Sequence, residues 1–124
     1  MTRLKSKDLR AWRDKRREAQ CNIDPITQKF IENPCADHDH ATGHLRQVLD
    51  RETNAFEGKV FNAWRRYLRY KGVSLLEAIS GLYGYYVLDY SKNPVHPLHR
   101  TKEEKKELRN KRARRRRNLQ KAKK

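Results

Sequence analysis

The sequence predicts an α+β protein that is mostly helical, with a β-hairpin near the middle of the chain. Apolar and polar residues alternate in segments 35–40 and 44–49, and a Thr42-Gly43 turn separates the two segments. This is the pattern of two antiparallel strands. Apolar residues recur at helical spacing on both sides of the hairpin. The length of 124 residues suits one domain with tails.

The net charge of +16 is concentrated at the two ends of the chain. Residues 1–20 carry eight basic and three acidic side chains, residues 21–99 carry nine of each, and residues 100–124 carry fourteen basic and three acidic ones. Basic arms around a neutral body are typical of a protein that binds a polyanion, most simply nucleic acid. A solubilising tail and contact with a membrane surface are the alternatives. We therefore divide the chain into a basic N-terminal helix, a neutral core and a basic tail at these boundaries.

The first helix is predicted from Ser6, a candidate cap, to about Gln20, with Leu9 and Trp12 on a thin apolar stripe. Residues 27–31 are a candidate short strand between proline-containing turns. After the hairpin, a second helix is expected from Thr53 to the Lys71-Gly72 stop. One of its faces carries apolar and aromatic residues: Val60, Phe61, Trp64, Tyr67 and Leu68.

A third helix is predicted from Ser74, which forms a capping box with Glu77, to about Tyr90. It is apolar on several sides, so it needs partners on more than one side, and a domain this small offers few. This favours a homodimer interface, and a helix fully buried in a monomer is the alternative. The apolar stretch is shorter than the ~20 residues that cross a bilayer, so no membrane span is expected.

The basic tail is expected to be disordered in the absence of a polyanion. A charged helix is conceivable from Thr101 onward, but the four consecutive arginines repel one another. The basic side chains that we assign to DNA contacts are Arg46, Arg65, Arg66, Arg69, Arg114, Arg115, Arg116 and Arg117.

The most informative motif is Asp37-His38-Asp39-His40 on the first strand, followed fourteen residues later by Asn54. Carboxylate and amide oxygens are hard donors that suit a cation such as Mg²⁺. A neighbouring histidine can take a proton near neutral pH. The sequence therefore contains the parts of a one-metal site that activates water against a phosphodiester. An adventitious metal binder is the alternative.

These residues, with the hairpin and the Asn54-Ala55-Phe56-Glu57-Gly58 segment that follows it, resemble the His-Me finger (ββα-metal) nucleases. More narrowly, residues 21–97 resemble the phage recombination endonuclease VII family. The resemblance implies a ββα-metal core with flanking dimerisation helices. It also implies a metal-dependent endonuclease that cuts branched DNA, including Holliday junctions, as a homodimer. Such an enzyme acts in phage replication, recombination or packaging, in the cytoplasm of the infected bacterium.

The resemblance also implies roles for individual residues. His38 is the expected general base, and Asp37 and Asn54 are the expected ligands of Mg²⁺, for which Mn²⁺ is a possible substitute. His40 and Glu57 correspond to supporting catalytic positions. Members of the family usually hold a structural zinc with two Cys-x-x-Cys pairs. Here only Cys21 matches, and the other three positions are Asp24, Asp50 and Thr53, so we expect no structural zinc.

Two other functions stay open at this point. One is a nucleic-acid-binding packaging or scaffold protein whose nuclease site has decayed. The other is a less selective nicking endonuclease. The N-terminus has no signal-like apolar segment, which favours a cytosolic protein in which Cys21 and Cys35 stay reduced.

Overall fold

The computed structural model describes residues 2–123, which form two strands and four α-helices. In chain order these are α1 Leu9–Ala19, β1 Pro34–His38, β2 Leu45–Asp50, α2 Arg51–Tyr67, α3 Leu75–Tyr86 and α4 Lys102–Ala122. The chain divides into two compact units between Tyr86 and Val87. The α+β, mainly helical class predicted from the sequence is confirmed. The charge-based boundaries at residues 20 and 99 stay a prediction.

The first unit is built around the hairpin of β1 and β2, which pair antiparallel. Both α1 and α2 pack against these strands. The buried apolar side chains are Ile31, Val48 and Leu49, a small core for a domain of this length. The predicted hairpin is confirmed, although β1 ends at His38, two residues earlier than expected.

The side chain of Gln20 attaches α1 to β2, because it makes the two main-chain hydrogen bonds that a neighbouring strand would make. Gln20 follows the helix, and its amide oxygen accepts from the Val48 N–H at 2.8 Å while its NH₂ donates to the Val48 carbonyl at 2.8 Å. These two bonds satisfy the main chain of a fully buried residue. The helix begins through a 3₁₀ turn, Ser6–Asp8, and Ser6 makes no capping hydrogen bond, so the predicted cap is wrong.

The short strand predicted for residues 27–31 is also wrong, since this segment contains only an isolated bridge between Ile23 and Phe30. The Asp24 carboxylate accepts from the N–H groups of Ile26, at 2.8 Å, and Thr27, at 3.3 Å. Gln28 has a left-handed φ of 61°. Because the side chain of Asp24 and this kink organise the segment as a turn, its backbone cannot extend into a ladder.

The helix α2 begins at Arg51, two residues before the predicted start, because Asp50 caps it. The Asp50 carboxylate accepts from the Arg51 N–H at 2.9 Å. At the other end, the chain reverses through a 3₁₀ turn, Arg69–Lys71, and Gly72 takes a left-handed φ of 75°. The glycine therefore ends this 3₁₀ turn, whereas α2 itself ends at Tyr67, before the predicted Lys71-Gly72 stop.

The helix α3 starts as predicted, with the Ser74 hydroxyl accepting from the Glu77 N–H at 3.1 Å. It ends at Tyr86, four residues before the predicted end. Beyond it, the Asp89 carboxylate accepts from the Ser91 N–H at 2.9 Å in a turn. Aspartate favours such turns over a helix interior, which accounts for the earlier end.

In the second unit, the structure has a 21-residue helix, α4, where the sequence suggested a disordered tail. Thr101 caps it by accepting from the Glu104 N–H at 3.1 Å, and two glutamates in the first turn complement the helix dipole. Consecutive side chains on a helix do not face one another, so the adjacent arginines repel each other less than the sequence suggested. No helix within residues 2–123 is long and apolar enough to cross a membrane.

Candidate active site

The pairing of the two strands contains an irregularity next to the motif. The register is Pro34↔Asp50, Cys35↔Leu49 and Ala36↔Val48, and then His38↔Leu45. Between the last two pairs, Asp37 on β1 lies opposite two residues of β2, Arg46 and Gln47. An extra residue of this kind is a β-bulge, which bends the strand and redirects its side chains. Arg46 lies at this bulge, opposite Asp37, and its guanidinium donates to the Asp37 carboxylate.

Arg46 joins the two carboxylates of the site. Its Nε donates to Asp37 Oδ2 at 2.6 Å and its Nη2 donates to Asp37 Oδ1 at 3.0 Å, a bidentate pair. The same Nη2 lies 3.1 Å from Glu57 Oε1 on α2. The strand and the helix are thus linked through one guanidinium group. The hydrogen bonds that Arg46 donates to Asp37 and to Glu57 raise the pKa of its guanidinium, so it is always charged.

The two histidines of the motif are in contact with each other and with α2. The rings of His38 and His40 have centroids 4.8 Å apart in an edge-on arrangement. His40 lies 5.8 Å from the ring of Phe61, which in turn lies 5.6 Å from the ring of Trp64. His38 and His40 are both exposed. The predicted base is therefore open to solvent and to a substrate.

Asn54, the second predicted metal ligand, lies half-buried in the first turn of α2. It precedes Glu57 by three residues and Phe61 by seven, so these three side chains share one helix face. Glu57 contacts Arg46 and Phe61 contacts His40. The face that carries Asn54 is therefore the one that α2 turns towards the motif strand.

Asp39 belongs to the turn of the hairpin. Its carboxylate accepts from the N–H groups of Ala41 and Thr42 at 2.8 and 3.1 Å. The bond from Thr42 is the largest of the effects that hold the pKa of Asp39 below its ordinary value. In this turn Gly43 takes a φ of 79°. The second aspartate of the motif thus fixes the loop between the strands.

The predicted DNA-binding arginines lie in three places. Arg46 is in the carboxylate cluster described above. Arg65, Arg66 and Arg69 are exposed at the C-terminal end of α2 and in the 3₁₀ turn that follows it, where Arg66 lies 5.3 Å from the ring centre of Tyr67. The arginines at positions 114–117 belong to α4 in the second unit and are all exposed.

The positions that correspond to three of the family's zinc ligands form a hydrogen-bonded cluster. Asp24 is fully buried and accepts from the Asp50 N–H at 2.9 Å and from the Thr53 side chain. Asp50 accepts from the Asn33 N–H at 3.0 Å. Cys21 is exposed, and it and Cys35 are free thiols. Among the residues that the structure describes, no three or more His, Cys, Asp or Glu side chains are grouped to hold a metal.

Two features of the site were not found by sequence reasoning. Phe61 was assigned only to an apolar helix face, although its spacing from Glu57, four residues, places both on the side that faces the motif. The link from Arg46 to the carboxylates lies at the irregularity in the strand register, which no local residue pattern signals. Arg46 was predicted to contact DNA, whereas in the structure its guanidinium is bound to Asp37 and Glu57.

Comparison with known proteins supports the resemblance noted from the motif. A family model described as recombination endonuclease VII matches residues 3–78, a span that contains the hairpin, the whole of α2 and both histidines of the Asp-His-Asp-His motif. None of the curated proteins matches the chain significantly. Because the family match covers more than half of the chain, the protein belongs to the recombination endonuclease VII family, and with it to the DNA endonucleases.

Proposed function

We propose that the protein is a divalent-cation-dependent endonuclease that cuts branched DNA, including Holliday junctions, as a homodimer. The observation that carries this proposal is the assembly of β1, β2 and α2, which groups Asp37, Glu57 and two exposed histidines at one place. A pair of carboxylates beside an exposed imidazole is suited to hydrolysis of a phosphodiester. We place this activity in phage replication, recombination or packaging, in the cytoplasm of an infected bacterium.

The chemistry of the donors fits a hard divalent cation. Asp37 offers a carboxylate and Asn54 an amide oxygen, and Mg²⁺ in nuclease-type sites is held by one or two protein oxygens together with phosphate and water. These two residues would hold the cation. When bound, it would neutralise charge that develops on the phosphate. Mg²⁺ is the first expectation and Mn²⁺ a substitute.

His38 is the proposed general base. Its ring is exposed on the strand next to Asp37, so it is accessible to a water molecule near a bound phosphate. The ring of His40 lies between those of His38 and Phe61, with centroids 4.8 and 5.8 Å away. His40 and Glu57 therefore act in support, by contacting the phosphate or by orienting their neighbours.

The experiment compares His38→Ala with His44→Ala, a control that removes an exposed histidine of the same hairpin. Each protein is incubated with Mg²⁺ and matched linear, Y-shaped and four-way DNA. We expect His38→Ala to lose cleavage by about 10² to 10⁴-fold while it retains DNA affinity, and His44→Ala to cut like the wild type. Equal cleavage by both variants would contradict the role of His38. Cutting of all three DNA shapes alike would indicate a less selective nicking enzyme.

The metal ligands are tested by Asp37→Asn and Asn54→Ala. Both variants are expected to lose cleavage, with partial recovery at high Mg²⁺ or with Mn²⁺, because each removes one oxygen donor of the cation. The measurement is a titration of cleavage rate against metal concentration. If cleavage persists in EDTA and neither substitution lowers its rate, the one-metal proposal is wrong.

A further inference from the structure

The ion pair between Arg46 and Asp37 uses both oxygens of the carboxylate that we assign to the cation. The Arg46 Nε donates to Asp37 Oδ2 at 2.6 Å and its Nη2 donates to Asp37 Oδ1 at 3.0 Å. The same Nη2 lies 3.1 Å from Glu57 Oε1. These are the hydrogen bonds that the structure gives to the Asp37 side chain. A permanent positive charge thus lies where a divalent cation would have to bind, and like charges at this distance repel.

The burial of the three side chains indicates which of them can move. The Asp37 side chain is 9% exposed and that of Glu57 is 20% exposed, whereas that of Arg46 is 39% exposed. The carboxylates are held on a strand and a helix that pack together. Arg46 has a long and flexible side chain with access to solvent. It can leave the cluster without disturbing the backbone of either element.

Arginine binds phosphate with the same bidentate geometry that it uses for carboxylates. We propose that Arg46 is the resident counter-cation of Asp37 and Glu57, and that a DNA phosphate draws it away, so that DNA and a divalent cation bind this site cooperatively. This inference rests on the proposed function, because it takes Asp37 as a cation ligand. By linkage, the cation must raise DNA affinity by the same factor by which DNA raises cation affinity.

The first test measures Mn²⁺ binding to the DNA-free full-length protein by electron paramagnetic resonance of the free ion. Arg46→Gln removes the counter-cation, and Arg51→Gln removes an exposed arginine that makes no ion pair within residues 2–123. We expect Arg46→Gln to bind Mn²⁺ about tenfold or more tightly than the wild type, and Arg51→Gln to bind like the wild type. The double variant Arg46→Gln, Asp37→Asn should lose the gain.

An Arg46→Gln variant that binds Mn²⁺ no better than the wild type would overturn the proposal. A gain that survives Asp37→Asn would also overturn it, because the cation would then lie elsewhere. Circular dichroism establishes that each variant keeps its helices. If Arg46→Gln fails to fold, the reciprocal measurement described next tests the proposal with Arg46 in place.

The reciprocal test keeps Arg46 and measures DNA binding with and without Ca²⁺ at constant ionic strength, in the His38→Ala background to prevent cleavage. We expect Ca²⁺ to raise the affinity about tenfold or more, and Asp37→Asn to abolish this effect. Affinity that is independent of Ca²⁺ would refute cooperative binding. Cleavage of DNA by the wild type with Mg²⁺ is measured in parallel, so a failure of the proposed nuclease function is distinguished from a failure of this inference.

Discussion

Asp24 illustrates how a single side chain can hold several segments together. It has no exposed surface, and its carboxylate accepts from Ile26, Thr27, Asp50 and Thr53. Burial tends to raise the pKa of Asp24, yet these hydrogen bonds together hold it below the ordinary value of 3.8. The charged form is therefore the stable one in the folded protein, and it ties the 23–31 turn to the start of α2.

We predict that Asp24→Asn destabilises the protein by about 1–3 kcal/mol, because an NH₂ group replaces one of two oxygens that face N–H donors. The measurement is urea unfolding followed by circular dichroism. Asp39→Asn is the matched control, since asparagine supports the same kind of turn, and its unfolding free energy should stay within about 0.5 kcal/mol of the wild type. Equal stability of the two variants would show that the Asp24 bonds contribute little.

The contribution of Asp24 also depends on pH. Because its pKa is lower in the folded than in the unfolded chain, its stabilising effect is present above the ordinary value of 3.8 and is lost as the pH falls through the folded pKa. We therefore expect the difference in unfolding free energy between the wild type and Asp24→Asn to be full at pH 7 and to shrink below about pH 4. A difference that stays constant down to pH 2 would contradict this linkage.

At the scale of residues, the sequence identified the side chains with distinctive chemistry but not their partners. The motif singled out Asp37, His38 and His40, and the structure groups them on one strand and its turn. The sequence assessed Asp24 only as a poor zinc ligand, since its partner Asp50 is 26 positions away. Contacts between distant positions depend on the register of the hairpin, which no local pattern specifies.

At the scale of elements, α3 exposes a stripe of large apolar side chains. Leu76, Ile79, Tyr83 and Tyr86 are all exposed, and their spacing of three and four residues places them on one face of the helix. This is the spacing by which two helices pack along a seam. An exposed apolar stripe of this kind marks an interaction site. It supports the homodimer in the proposed function.

We predict that Tyr83→Lys weakens dimerisation, because it introduces a charge into the seam. Gly81→Lys is the control: it adds the same charge on the opposite face of α3, at a position where an added Cβ meets no atom within 4 Å. We expect Tyr83→Lys to raise the dimer dissociation constant about thirtyfold or more, the effect of a hot-spot residue, and Gly81→Lys to dimerise like the wild type. Sedimentation equilibrium is the measurement. A monomeric wild type, or two variants that dimerise equally well, would refute the interface.

Local signals account for which element boundaries were predicted correctly. Ser74 acts through its own side chain, so the start of α3 was predicted correctly. Gly72 acts through its own backbone and marks the turn before α3, although α2 itself ends at Tyr67. The 23–31 turn and the early start of α2 both depend on carboxylates that cap backbone groups. In α4, helix-forming residues and the Thr101 cap outweighed the repulsion between arginines that the sequence argument emphasised.

At the scale of the whole molecule, the candidate catalytic residues and the most basic segment lie in different parts of the chain. The carboxylates and histidines of the candidate site lie in the first unit, whereas eleven basic side chains lie on α4 in the second. Basic residues occur all around α4, since the four consecutive arginines at positions 114–117 alone complete one turn. Such a helix offers phosphate contacts in every direction but no arrangement of side chains that distinguishes one DNA shape from another.

We predict that removal of residues 101–124 weakens binding to linear and four-way DNA equally, and leaves unchanged which shape is cut. Each phosphate contact contributes a slope of about −0.9 to log affinity against log salt, so the loss of six contacts flattens the slope by about five.

A full-length variant with glutamine at positions 114–117 is the matched control for the missing helix, because glutamine preserves helix propensity. It should flatten the slope by up to about 3.6. Binding is measured across a salt series for both DNA shapes. A truncated protein that keeps its slope, or that loses affinity for junctions alone, would show that α4 recognises DNA structure and that shape selection does not belong to the first unit.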